Sequence, residues 1–232
     1  MVSHFCYFMA TPALRHPERI HPALWRATQI ARPAHPTVAT GFATLDRELP
    51  GQGWPIGQLI EVMLERPGQG EMQLFRPALL RQHPERSIAL VQPPHPPCIQ
   101  AWAHWRLAPE RLLWIQPSTG ADALWAAEQA LRHNVCAAVF CWADPIRTAA
   151  LRRLHLLARQ SDSLCIVLRP ATVRSQASAA VLRVALRPCR RGLQLHIVKR
   201  QGAVRPDPIT LELYTFRQAS SHHAPLDLPE MA

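Results

Sequence analysis

Fifteen residues, Gln58 to Met72 (QLIEVMLERPGQGEM), set the terms on which the rest of this chain can fold. Leu59 to Leu64 is a mostly apolar run of the length of a buried strand. Pro67-Gly68-Gln69-Gly70 follows as a turn, and a helix starts near Glu71 with Leu74, Phe75, Leu79 and Leu80 on its apolar side. Strand, glycine turn and helix in this order form the layout of a phosphate-cradling loop. In such a loop the glycines let backbone N–H groups approach phosphate oxygens, a lysine reaches the terminal phosphates, and a Ser/Thr hydroxyl holds Mg²⁺. Here the lysine place holds Glu71 and the hydroxyl place holds Met72. A carboxylate repels phosphate, and a thioether does not ligate a hard cation. The only lysine of the chain, Lys199, lies far downstream. Arg66 and Arg76 flank the loop, but neither occupies the lysine position, and the broader guanidinium fork does not fit the same cradle. Gly68 and Gly70 then serve either a residual phosphate cradle or simply a tight strand-to-helix turn. The expectation is an NTPase scaffold whose nucleotide chemistry is lost: no enzyme, no cofactor.

Around this stretch the chain reads as alternating strands and helices. Prolines at 12, 17, 22, 33 and 36 break up an N-terminal arm, residues 1–37, leaving room for a short helix from Pro22 to about Ala31 that carries Leu24 and Trp25. Phe42 and Leu45 suit a second short helix, and the glycines and prolines at 50–57 form a compact turn into the first central strand. Strands are predicted at Ser87–Val91, Arg111–Ile115, Val135–Trp142 and Leu164–Leu168. Helices are predicted at Ile99–Leu107, Ala121–His133 (with Leu124, Trp125, Glu128 and Leu131 at helical spacing) and Pro145 to about Gln160. The run VCAAVFCW is apolar on both faces, as in a buried parallel strand, and leads to Asp144. From Ala179 the pattern alternates in AVLRVALR, GLQLHIVKR and PITLELYTF, which read as antiparallel strands ending the sheet. Residues 217–232 read as a flexible polar tail. The fold class predicted is α/β, a mixed, mostly parallel sheet flanked by helices with a C-terminal antiparallel hairpin.

With 26 Lys+Arg against 16 Asp+Glu, the net charge of +10 suits an anionic partner, either weakly and non-specifically bound DNA or an acidic protein face; scattered solvated arginines account for it equally well. No C-x-x-C pair occurs among Cys6, Cys98, Cys136, Cys141, Cys165 and Cys189, which read as reduced core residues of a cytoplasmic protein. The 12 histidines lack metal-ligand spacing. No run approaches the roughly 18 apolar residues of a membrane span.

The order of elements resembles the RecA-like P-loop NTPase fold and, within it, the ImuA family of translesion-synthesis accessory proteins, related also to SulA. Thr40-Gly41 through Leu45-Asp46 to Gly51, Gly53, Pro55, Gly57 and Glu61 looks like the lead into the RecA phosphate loop. Val135–Asp144 is similar to its Walker B strand, and Ile197–Arg200 with Ile209–Tyr214 looks like its protomer-contacting hairpin. The similarity covers residues 38–216, and Pro-Gly-x-Gly-Glu in place of Gly-Lys-Thr points to ImuA. Gln92-Pro93-Pro94-His95 stands where RecA has an acidic residue that positions water, and Arg169 stands where RecA has a γ-phosphate-sensing glutamine. The first DNA-binding loop is absent, and the second shrinks to about Ala171–Ser178.

The resemblance implies a nucleoid-associated accessory factor of the SOS response to DNA damage. Its implied partners are RecA and an ImuB-type Y-family polymerase homologue, and indirectly an error-prone replicative-type polymerase. The alternative is a SulA-like division inhibitor that binds FtsZ. Candidate partner or DNA contacts are Arg174, Lys199, Arg200, Arg205, Leu24 and Trp25. Asp144 is either a remnant of the Walker B acid or the N-cap of the following helix.

Overall fold

The computed structural model describes residues 35–202, 204 and 206–213. The arm with Leu24 and Trp25, the tail from residue 217, and Arg205 lie outside the described residues. A two-stranded antiparallel ribbon, β1 (Thr37–Val38) and β2 (Trp54–Pro55), flanks α1 (Ala43–Asp46) and precedes the main sheet. The chain then runs β3 (Leu59–Leu64), α2 (Glu71–Arg81), β4 (Ser87–Val91), α3 (Ile99–His104) and β5 (Leu112–Ile115). It continues through α4 (Gly120–Arg132), β6 (Cys136–Trp142), α5 (Thr148–Ala158) and β7 (Leu164–Pro170), and ends with β8 (Leu182–Cys189), β9 (Gly192–Lys199) and β10 (Ile209–Glu212).

The main sheet has eight strands in the order β10-β9-β8-β3-β7-β6-β4-β5. β3 to β8 are mutually parallel, and β9 and β10 extend the sheet antiparallel. Parallel strands need helical crossovers that cover both faces, so the central strands carry apolar residues at successive positions rather than at alternate ones. β3, β6 and β7 are accordingly buried almost end to end.

Each face has its own core. On one face, α2 places Leu74, Phe75, Ala78 and Leu79 over Ile60, Val62, Phe140 and Ile166. The Phe75 ring stacks 4.6 Å from Trp54 and meets Phe140 edge-on at 5.4 Å. On the other face, α4 and α5 lay Ala123, Ala127, Leu131, Leu151 and Leu154 on Val139, Cys141, Cys165 and Val167. The small side chains of α4 let it approach the sheet closely. Its start is fixed by the Thr119 hydroxyl, which accepts the Asp122 N–H at 3.2 Å.

Three local expectations are corrected. β8 is antiparallel only to β9; toward β3 it is parallel, because residues 171–181 carry the chain across β3 and back to its starting end. Leu80 and Trp125 are exposed, Trp125 at 63%, since Leu79 and the Ala123/Ala127/Leu131 stripe already face the sheet. Glu128, in the same helical pattern, is buried, and its carboxylate meets Arg153 Nε at 2.5 Å. Among the described residues, no helix is long and apolar enough to cross a membrane.

Candidate functional site

The glycine turn after β3 places Gly68 at φ +78° and Gly70 at φ +105°, both in the left-handed region that glycine enters without penalty. At Gly70 a Cβ would lie 2.6 Å from Leu213 Cδ1, so the missing side chain also lets the end of β10 close over the loop. Glu71, the first residue of α2, is 4% exposed and folds back so that its Oε1 accepts the Gly68 N–H at 2.7 Å. The donor that a phosphate would use is thus taken by a carboxylate of the same turn. A negative group at a helix N-terminus is also favoured by the helix dipole. Glu71 Oε2 is buried and has no hydrogen-bond partner among the described residues. Met72 packs against the larger core, which explains an apolar residue where a nucleotide site needs a hydroxyl.

Beside the loop, at the carboxyl ends of the parallel strands, lies a cleft of about 420 Å³. Open parallel sheets bind their ligands at this end. The cleft is lined by Pro67, Gln92, Gln116, Trp142, Asp144 and Arg169. Asp144 does not cap α5, which begins at Thr148 with Arg147 in the cap position. Its half-exposed carboxylate lies 3.6 Å from Arg169 Nη2.

Arg169 belongs to a buried charge network that the reading of single motifs missed. Glu61, at the middle of β3, is fully buried. Arg169 Nη1 donates to its Oε1 at 3.0 Å, and Arg183 Nε donates to its Oε2 at 2.7 Å. Register explains the geometry. Glu61 stands directly beside Arg183 on β8 and beside Val167 on β7, two residues before Arg169, so all three side chains share one face. The guanidiniums then reach outward to the loop after β7. Arg183 donates to the carbonyls of Val173 at 3.0 Å and Arg174 at 3.2 Å, and Arg169 donates to Gln176 Oε1 at 3.1 Å. The signal was present in the sequence: Glu61 and Arg169 are each the one charge of an apolar strand, and Arg183 stands between the apolar Leu182 and Val184, with signs that cancel in part. Buried charges pair, or they do not stay charged.

The remaining candidates fall elsewhere. The Lys199 ammonium donates to the Ser178 carbonyl at 3.0 Å, tying β9 to the same loop. Arg200 Nη1 lies 3.5 Å from Glu48 Oε2. Arg174 is exposed, and its carbonyl is held by Arg183. The turn with Pro67, Gly68, Gly70, Glu71 and Met72 and the cleft with Asp144 are therefore contiguous, whereas Lys199 and Arg200 are anchored on β9 and beyond it. Among the described residues no group of His, Cys, Asp or Glu is placed to hold a metal. Burial pushes the Cys141 thiol up to about 12 and raises Cys136 and Cys165 as well, so none of these three is a ready nucleophile. The site joins Glu61, Arg169, Arg183 and Asp144 in one charge network, while Arg169 Nε, Trp142 Nε1 and Glu71 Oε2 are buried without a hydrogen-bond partner among the described residues. No protein-family model matches the chain, and no curated protein matches it.

Proposed function

We propose that this chain is a non-catalytic accessory protein of SOS-induced mutagenic translesion DNA synthesis, built on a RecA-like scaffold with a degenerate phosphate loop. It acts by binding RecA and an ImuB-type polymerase homologue. The observation that carries this reading is the 2.7 Å bond from the Gly68 N–H to the Glu71 carboxylate. The loop is occupied by its own side chain, and a triphosphate entering it would meet a buried anion where it needs a cation. Arg169, in the place of the γ-phosphate sensor, is engaged with Glu61.

The resemblance to ImuA supplies the partners. The mostly parallel sheet, the turn after β3 and the antiparallel pair β9 and β10 at the sheet edge support a RecA-like body. The shortened loop is held down by Arg183 and Lys199, which suits a protein that attaches to a filament without pairing strands of its own.

The test is isothermal calorimetry with ATP and Mg²⁺ beside pull-downs with purified RecA and an ImuB-type protein, on one preparation. The expected result is no heat of nucleotide binding together with retention on both proteins. Tight magnesium-dependent ATP binding, or failure to associate with either protein, overturns the reading. Association with FtsZ instead moves the chain to the SulA-like class.

A further inference from the structure

We infer that the outward face of α4 and α5 is a docking surface for an acidic amphipathic helix of a partner protein. The inference stands independently of the function proposed above. Both helices return between parallel strands, so they run in the same direction, and the Glu128–Arg153 pair holds them level at 2.5 Å. One turn before Glu128 stands Trp125, 63% exposed; one turn after Arg153 stands Leu156, 58% exposed. The two lie about two turns apart along the axes and one interhelical spacing apart across them, a diagonal of roughly 14 Å. A third helix crossing this diagonal meets both with apolar residues two to three turns apart.

Charge selects the partner. Arg152 and Arg159 stand one turn on either side of Leu156, and Arg132 stands two turns beyond Trp125; all three are exposed and make no ion pair among the described residues. Of the two carboxylates on these helices, Glu128 is paired with Arg153, while the exposed Asp122 keeps its charge and accepts the Thr119 hydroxyl at 2.8 Å. With three arginines that make no ion pair among the described residues against one aspartate, the face carries net positive charge beside two apolar side chains exposed among the described residues, and Trp and Arg are the residue types that dominate binding energy at protein interfaces. A second copy of the same face is disfavoured, because it sets one net positive face against another. Single-stranded nucleic acid fits the arginines and Trp125 but leaves Leu156 without a role, since an aliphatic side chain offers no stacking platform. An anionic membrane needs a larger apolar area than two side chains present.

The probe is a fluorescent 18-residue peptide with Leu on one helical face and Glu on the other. Its anisotropy is measured against the full chain at physiological salt. The comparisons are a scrambled peptide of the same composition, an oligothymidine and phosphatidylglycerol vesicles. The expected result is saturable binding of the amphipathic peptide, at least about 10-fold tighter than the scrambled one and weakened about 10-fold by either Leu156→Ser or Trp125→Ser. Both variants are at exposed positions, and their thermal unfolding is checked against the parent. Absence of peptide binding overturns the inference, as does equal binding of both peptides or binding indifferent to Leu156→Ser. So does oligothymidine or vesicle binding that depends on Leu156 while peptide binding does not.

Discussion

Arg183 on β8 and Glu61 on β3 are separated by 122 residues in sequence, yet lie side by side with Nε 2.7 Å from Oε2, both buried in the sheet. Arg169 completes the cluster from β7. Removing one member of a buried ionic cluster leaves its partners uncompensated in a low-dielectric interior, whereas replacing all members with apolar side chains avoids the desolvation cost altogether. Glu61→Ala is therefore expected to lower stability by about 3–5 kcal/mol, read as the urea midpoint at constant slope. The triple change Glu61→Leu, Arg169→Met, Arg183→Met is expected to recover most of that loss. A Glu61→Ala protein as stable as the parent would show that the cluster is not what holds β3, β7 and β8 in register.

The same two arginines hold the loop after β7. Arg183→Met removes the bonds to the Val173 and Arg174 carbonyls, so limited trypsinolysis is expected to cut after Arg174 at least several-fold faster than in the parent. Unchanged cleavage would mean that other contacts fix the loop. An exposed loop opens locally at low free energy unless its backbone is tethered.

Glu71 contributes through its carboxylate acceptor and less through its charge as such. Loss of a hydrogen bond to a charged group costs about 1.5–3 kcal/mol, and a neutral acceptor of the same shape recovers part of it. Glu71→Ala is expected to lose about 2 kcal/mol by chemical denaturation, while Glu71→Gln loses less than about 1 kcal/mol. Equal losses would place the effect in the charge of the carboxylate, since Gln keeps both the methylene stem and an acceptor oxygen.

The thiols give a chemical map of the two cores. Cys98 is exposed, while Cys136, Cys141 and Cys165 are buried and their thiols are shifted upward by burial. Peptide-resolved iodoacetamide labelling of the folded chain at pH 8 is expected to modify Cys98 within minutes. The other three are expected to react only after denaturant is added, since the thiolate is the nucleophile. Rapid labelling of Cys141 or Cys165 in the folded chain would contradict the packing of β6 and β7.

His155 on α5 gives a pH dependence of definite sign. Burial first, then Arg159, Lys199 and His35, hold its folded pKa below the ordinary 6.5. As pH falls below about 6.5 the unfolded chain takes up a proton that the folded chain refuses, so stability present at neutral pH is lost toward pH 5. In His155→Gln the drop in urea midpoint between pH 7 and pH 5 is expected to be smaller than in the parent. An identical drop would assign the pH dependence to other groups.

Much of the fold was legible in residue order. The apolar runs at 59–64, 136–142 and 164–168 are buried strands, and the helices between them start and stop within a few residues of their periodic patterns. These features are local: period, glycine conformation and proline restriction act within one turn or one strand. Glu71 at the start of α2 was legible for the same reason, since the turn that it closes onto is contained within a few residues.

What the chain order did not disclose is how distant elements meet. An alternating pattern such as AVLRVALR suits a strand of either direction, and only the return of residues 171–181 across β3 makes β8 parallel to it. Helical spacing alone did not say that Trp125 points outward and Glu128 inward, because that depends on which stripe of α4 the sheet accepts. The pairing of Glu61 with Arg169 and Arg183 arises from strand register across 108 and 122 residues. No local rule reaches that far: residue order placed Glu61, Arg169 and Arg183 within apolar runs, and only the assembled sheet buried them and decided which of them neutralise each other.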